Sequence, residues 1–146
     1  MNNSEIIISV GRSMHNQVQK HGFAAPVNVL IDLGYLSDAD LEKWRFGKID
    51  YLERVCKVNL HKLSFIMKQV RAYAKKCGLK PSVTYYKRYG RKGKPPIKLR
   101  FSKYCDEDVE RNYATHYVSL FQAAKKAADK QTERSDDNDE RQSNEG

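Results

Sequence analysis

Between Glu53 and Asp106 the chain runs for 52 residues with 16 Lys and Arg and not one Asp or Glu. All 18 acids lie in the other 94 positions. A one-signed segment of this length cannot turn its charges inward, because buried cations without partners are strongly disfavoured. Its apolar residues must build the core while its cations share a surface. A surface carrying one sign of charge is the electrostatic footprint of phosphate recognition, so a nucleic acid is the partner that the segment implies.

The remaining composition sets the frame. A chain of 146 residues is one domain's worth of sequence, long enough to bury a core. Its last 16 residues, QTERSDDNDERQSNEG, hold no apolar side chain and six acids against Arg134 and Arg141. They are expected to form a disordered acidic tail over 131–146. Removing that net −4 from the total of +9 leaves +13 on residues 1–130, the expected single nucleic-acid-binding domain. Cys56, Cys77 and Cys105 are an odd set without CxxC spacing, which argues against a disulfide framework and for a reducing cytoplasm. The run Ile6-Ile7-Ile8 is too short for a signal core, and no apolar run nears the ~18 residues of a spanning helix. No membrane partner is expected. If the target is DNA in a bacterium, the protein would be nucleoid-associated.

Periodicity places the elements. Ser4 can cap a first helix over 4–22, with Ile6, Ile7, Val10, Met14 and Val18 at three- and four-residue intervals. A helical core is expected over 26–78. It includes a helix opened by Pro26, another capped by Ser37 and Asp38 that carries Trp44 as a core anchor, a short one around 51–56, and a long one over 60–77. The period then changes: 82–89 (SVTYYKRY) and 97–101 (IKLRF) predict an antiparallel hairpin over 82–101, joined by a Gly/Pro loop. A last helix is expected over 107–129, with acids at its start and lysines at its end as the helix dipole favours.

Laid on these elements, the cations form two groups. On the helix over 60–77, Leu63, Ile66, Met67, Val70, Tyr73, Ala74 and Cys77 form the expected apolar stripe. His61, Ser64, Lys68, Arg71 and Lys75 recur on the opposite face, with Lys62 at the edge. Solvated helix faces usually mix both signs; this one does not. Long donors beside a few polar groups suit phosphates and base edges in a major groove. The second group, Arg88, Arg91, Lys92, Lys94, Lys98 and Arg100, decorates the hairpin. If Ile97, Leu99 and Phe101 face the core, Lys98 and Arg100 point away from it. Tyr85, Tyr86 and Tyr89 interleave with these cations; most are expected to pack, although tyrosines also stack on unpaired bases.

A short helix at 51–56, a three-residue break and a longer helix resemble the general helix-turn-helix pattern, and the hairpin after them resembles the wing of a winged-helix domain. Glu53 and Lys57 stand where that pattern often carries a small residue and a glycine. Trp44-Arg-Phe-Gly, Leu99-Arg-Phe-Ser-Lys and Tyr113-Ala-Thr-His-Tyr are also similar to stretches of a group of small uncharacterised bacterial proteins, over most of 27–118. That similarity implies no activity.

Other chemistries find little support. Gly90-Arg-Lys-Gly93 matches a KH-type GxxG loop but joins two expected strands, and Pro95 stands where a P-loop needs Ser or Thr. Asp106, Glu107, Asp108 and Glu110, with His116 beyond them, could serve a metal-dependent nuclease, yet acids in a first helical turn need no catalysis to explain them. Cys56, His61, Cys77 and Cys105 lack zinc-ligand spacing. The expectation is therefore a mainly α, winged-helix-like domain with one β-hairpin that binds duplex DNA as a regulator or accessory factor. RNA or ribosome binding is the alternative. No catalytic residue, metal or cofactor is expected, and the apolar stripes of the first and last helices could pair two copies into a homodimer.

Overall fold

The computed structural model describes residues 1–121. The acidic tail and the later part of the expected last helix lie outside them. Among the described residues no helix is long and apolar enough to cross a membrane.

The fold is mainly helical with a small antiparallel sheet. Helix α1 (Asn3–His21) opens on a capping box at Asn2, one of the best N-cap residues, rather than at Ser4. The Asn2 side chain accepts from the Glu5 amide at 2.9 Å, and the Glu5 carboxylate accepts from the Asn2 amide at 3.2 Å. The helix stops at Gly22, whose φ of 81° is left-handed. Helix α2 (Pro26–Asp32) uses Pro26 in its first turn, where the missing N–H is harmless. Helix α3 (Asp38–Arg45) is capped by Ser37 and places the fully buried Trp44 in the core. Helix α4 (Leu60–Lys76) is capped by Asn59, which accepts from the Lys62 amide at 2.8 Å. Most of its expected stripe is buried, namely Leu63, Ile66, Met67, Val70 and Ala74, and the helix packs against α1; Tyr73 is half-buried, and Cys77, at the C-cap, is exposed. Helix α5 (Glu107–Ala114) starts at Asp106, whose carboxylate accepts from the amides of Asp108 and Val109.

The sheet was not legible as a unit. Strands β1 (Phe23–Ala24), β2 (Lys80–Val83) and β3 (Thr115–Val118) lie in the order β1-β3-β2, all neighbours antiparallel. The register sets Ala24 and Pro81 beside Tyr117, and Phe23 and Lys80 beside Val118. Pro81 is tolerated because β2 is an edge strand.

Four expectations change. The helix expected over 107–129 ends at Ala114, where Thr115 turns extended and the chain becomes the central strand. The hairpin expected over 82–101 reverses as foreseen but carries a single bridge, Lys87↔Lys98, with Arg88 and Leu99 amides donating to Ile97 and Tyr86 carbonyls at 2.8 Å. Its backbone is engaged elsewhere: the Arg100 and Phe101 carbonyls accept from the amides of Leu52 and Glu53, and the Tyr89 amide donates to Arg45. The short helix at 51–56 is one 3-10 turn, Leu52–Val55, so the first arm of the helix-turn-helix pattern is a single turn. Finally, Ile6, Val10, Met14 and Val18 of the expected α1 stripe are buried within the chain and are not available to pair a second copy, while Ile7 is exposed.

Candidate nucleic-acid interface

Helix α4 carries the clearest basic surface. Burial of its apolar stripe forces His61, Ser64, Lys68, Arg71 and Lys75 outward, and all five are exposed. Lys62 is different: it is half-buried, and its Nζ donates to the Met1 carbonyl at 2.8 Å. The ion pairs seen among the described residues, Arg54–Asp50 and Arg111–Asp108, involve none of these cations. Burial raises the Tyr117 phenol's pKa, and the positive charge of Arg71 opposes that rise.

The hairpin cations divide. Lys92 and Lys94 stand exposed at its tip. Arg91 closes the tip instead, its Nε donating to the Pro95 carbonyl at 3.0 Å. Lys98 lies 4.1 Å from the centre of the Tyr85 ring. Arg88 packs against Gly47, whose positive φ and missing Cβ leave the guanidinium its space. Arg100 does not point away as strict alternation requires. It is half-buried, donates to the carbonyls of Ser102 (2.7 Å) and Lys103, and lies over Tyr51. Leu99 and Phe101 are in the core, whereas Ile97 is exposed because the strand is too short to hold its alternation. Among the described residues no hydrogen bond or ring contact joins the α4 face to the hairpin.

Two carboxylates from outside the basic segment hold its C-terminal part. The buried Glu110 carboxylate accepts from the amides of Phe101 (2.9 Å) and Ser102 (2.7 Å) and from the Ser102 hydroxyl at 2.5 Å. Glu53 accepts from the Lys103 amide at 2.9 Å and from the Tyr113 hydroxyl at 2.7 Å. Burial first, and the charge of Glu53 second, hold the Tyr113 phenol in its neutral form. The sequence did not reveal either carboxylate as a clamp; the only signal was that Glu53 borders the acid-free run and Glu110 lies in the acid cluster after it. Cys56 is buried, its thiol pushed up to about 12 by burial and by Glu53 and Asp40, and it donates weakly to the Leu52 carbonyl. Among the described residues no group of three or more His, Cys, Asp or Glu is placed to hold a metal ion.

Behind the hairpin lies an aromatic cluster. Trp44 donates its indole N–H to the Arg100 carbonyl at 2.8 Å, and its ring meets Tyr86 and Phe101. His116 stacks on Phe23 with centroids 5.4 Å apart, and its Nε2 lies 3.3 Å from the Tyr86 hydroxyl. Burial pushes the Tyr86 phenol up to about 12. Arg45 extends between two tyrosines, 4.0 Å from the Tyr89 centroid and 4.9 Å from that of Tyr86. A cleft of about 380 Å³ opens among these groups. Residue order alone could not bring Phe23, Arg45, Tyr86 and His116 together.

No family model matches the chain, and no curated protein or solved structure matches it.

Proposed function

We propose that this chain binds nucleic acid, with duplex DNA as the first target and α4 as the element laid against it. The observation that carries this reading is the α4 face: three exposed cations and two polar groups at helical spacing, with no acid among them and, among the described residues, no ion pair to neutralise them. A 17-residue helix with one face fixed in a core and the other cationic has the shape and charge for a groove or a phosphate track. Lys92 and Lys94 at the hairpin tip add a second point of contact. Lys62, Arg91 and Arg100 contribute less, because each already donates to a carbonyl of the chain. The role would be that of a regulator or accessory factor acting by binding rather than catalysis.

The test is binding of duplex DNA as a function of salt, with Lys68→Ala/Arg71→Ala beside the parent. Loss of two phosphate contacts should flatten the slope of log K against log salt by about one to two units. An unchanged slope refutes the assignment of the α4 face. RNA is the second reading, favoured by the exposed ring of Tyr89 and the aromatic cleft beside it. Competition between duplex DNA and structured RNA separates the two.

A further inference from the structure

We infer that the cleft between the sheet, the end of α3 and the hairpin is a site for one unpaired nucleobase with its phosphate. The inference rests on the nucleic-acid reading and adds to it what part of the nucleic acid the fold would select. Five ring side chains, Phe23, Tyr85, Tyr86, Tyr89 and His116, line this cleft together with Arg45. Rings offer π faces to any base, and stacking of this kind is tolerant of sequence. The volume of about 380 Å³ lies in the range of small-ligand sites. Asn28 and Thr84, which also line it, could supply an amide and a hydroxyl for a base edge, and Lys87 adds a second cation.

Arg45 makes the case for an anion. Its guanidinium is held over two tyrosine rings, yet among the described residues it forms no ion pair or hydrogen bond, and its Nε is buried without a partner. A buried donor in this condition calls for an acceptor, and an arginine on aromatic rings is already oriented to receive a phosphate or a base carbonyl. The adjoining clefts fit less well. One of about 320 Å³ shares Arg45, Tyr86 and Tyr89 but adds Asp38 and Glu42, which repel a phosphate. A cleft of about 600 Å³ lined by α1 and α2 contains Asp32 and Asp38. Its Ser13, Gln17 and Asp32 are tied to one another and to the Ala25 amide. Of these three clefts, the ring-lined one joins stacking faces and unpaired cationic donors without a carboxylate among the described residues.

The experiment compares a blunt DNA duplex with the same duplex carrying a single-stranded overhang, by fluorescence anisotropy at physiological salt. The overhang should tighten binding about ten-fold, the lower part of the range that stacking one base supplies. Tyr89→Ala should erase that advantage while leaving the blunt duplex unaffected; the residue is 49% exposed, and thermal unfolding checks that the variant folds. Tyr89→Phe should retain the advantage, and Arg45→Gln should lose most of it. A nucleoside monophosphate that displaces the overhang shows that a base with one phosphate suffices, whereas failure to displace it, with the advantage intact, assigns the cleft to a strand. The inference is overturned if the overhang adds nothing, or if its advantage survives both Tyr89→Ala and Arg45→Gln while the duplex is still bound. If neither probe binds, the nucleic-acid reading falls with it.

Discussion

Two halves of one basic segment are built on opposite principles. Helix α4 satisfies its own backbone, turns one stripe into the core and leaves His61, Ser64, Lys68, Arg71 and Lys75 with nothing to do for the fold. The stretch over 84–103 has almost no regular pairing, so its side chains and its neighbours must hold it in place. Arg91 and Arg100 donate to its own carbonyls, Lys98 covers Tyr85, and Glu53 and Glu110 accept its amides from outside. The same residue types thus do two kinds of work. Counting cations measures the surface on α4 and overstates it on the hairpin.

That contrast breaks most visibly at Glu110. Glu110→Ala strands the buried amides of Phe101 and Ser102 together with the Ser102 hydroxyl. A loss of about 3 kcal/mol is expected, read as a lower midpoint in urea unfolding, because buried donors left without partners cost roughly 1–3 kcal/mol each. A loss below ~1 kcal/mol would mean that the hairpin is not held from α5. Lys68→Ala/Arg71→Ala should do the reverse, staying within ~0.5 kcal/mol of the parent's stability while flattening the salt slope of DNA binding. Arg100→Ala should resemble Glu110→Ala in kind and be smaller. It is expected to cost about 1 kcal/mol of stability, since its donors are partly exposed, and to leave the salt slope where it was. An Arg100 variant that moved the slope and not the stability would place that side chain on the binding surface after all.

What the sequence made legible follows from how local each feature is. Helix α4 was readable because its stripe and its Asn59 cap lie within one run of chain. Strand β3 was hidden because Val109, Tyr113, Tyr117 and Leu120 keep a helical spacing through it. The β-branched and aromatic content of Thr115-His-Tyr-Val118 argued for a strand, but its partners at Phe23–Ala24 and Lys80–Val83 are two and four residues long. The cationic face could be drawn from helical period alone. The ring-lined cleft could not, since Arg45 meets Tyr89 only once α3 and the hairpin are docked. Charge was local information, whereas the clamps and the cleft are products of tertiary structure.

The finest probe of the docked half is the protonation of His116. Burial between Phe23 and Tyr86 lowers its pKa below the ordinary 6.5 of an imidazole. Between the lowered folded value and 6.5 the unfolded chain therefore binds more protons than the folded one, and in that window stability rises with pH. The contribution is fully present above pH 6.5 and is lost as pH falls through the folded pKa. The effect should be below ~1 kcal/mol, because the ring is only partly buried. The midpoint of urea unfolding should fall further between pH 7 and pH 5 for the parent than for His116→Phe, which has no proton to take up. An equal fall in both proteins would show that the sheet face and the hairpin do not hold His116 in its neutral form. A smaller fall in the parent would mean that the folded protein favours the imidazolium, as an anionic partner near the ring would make it do.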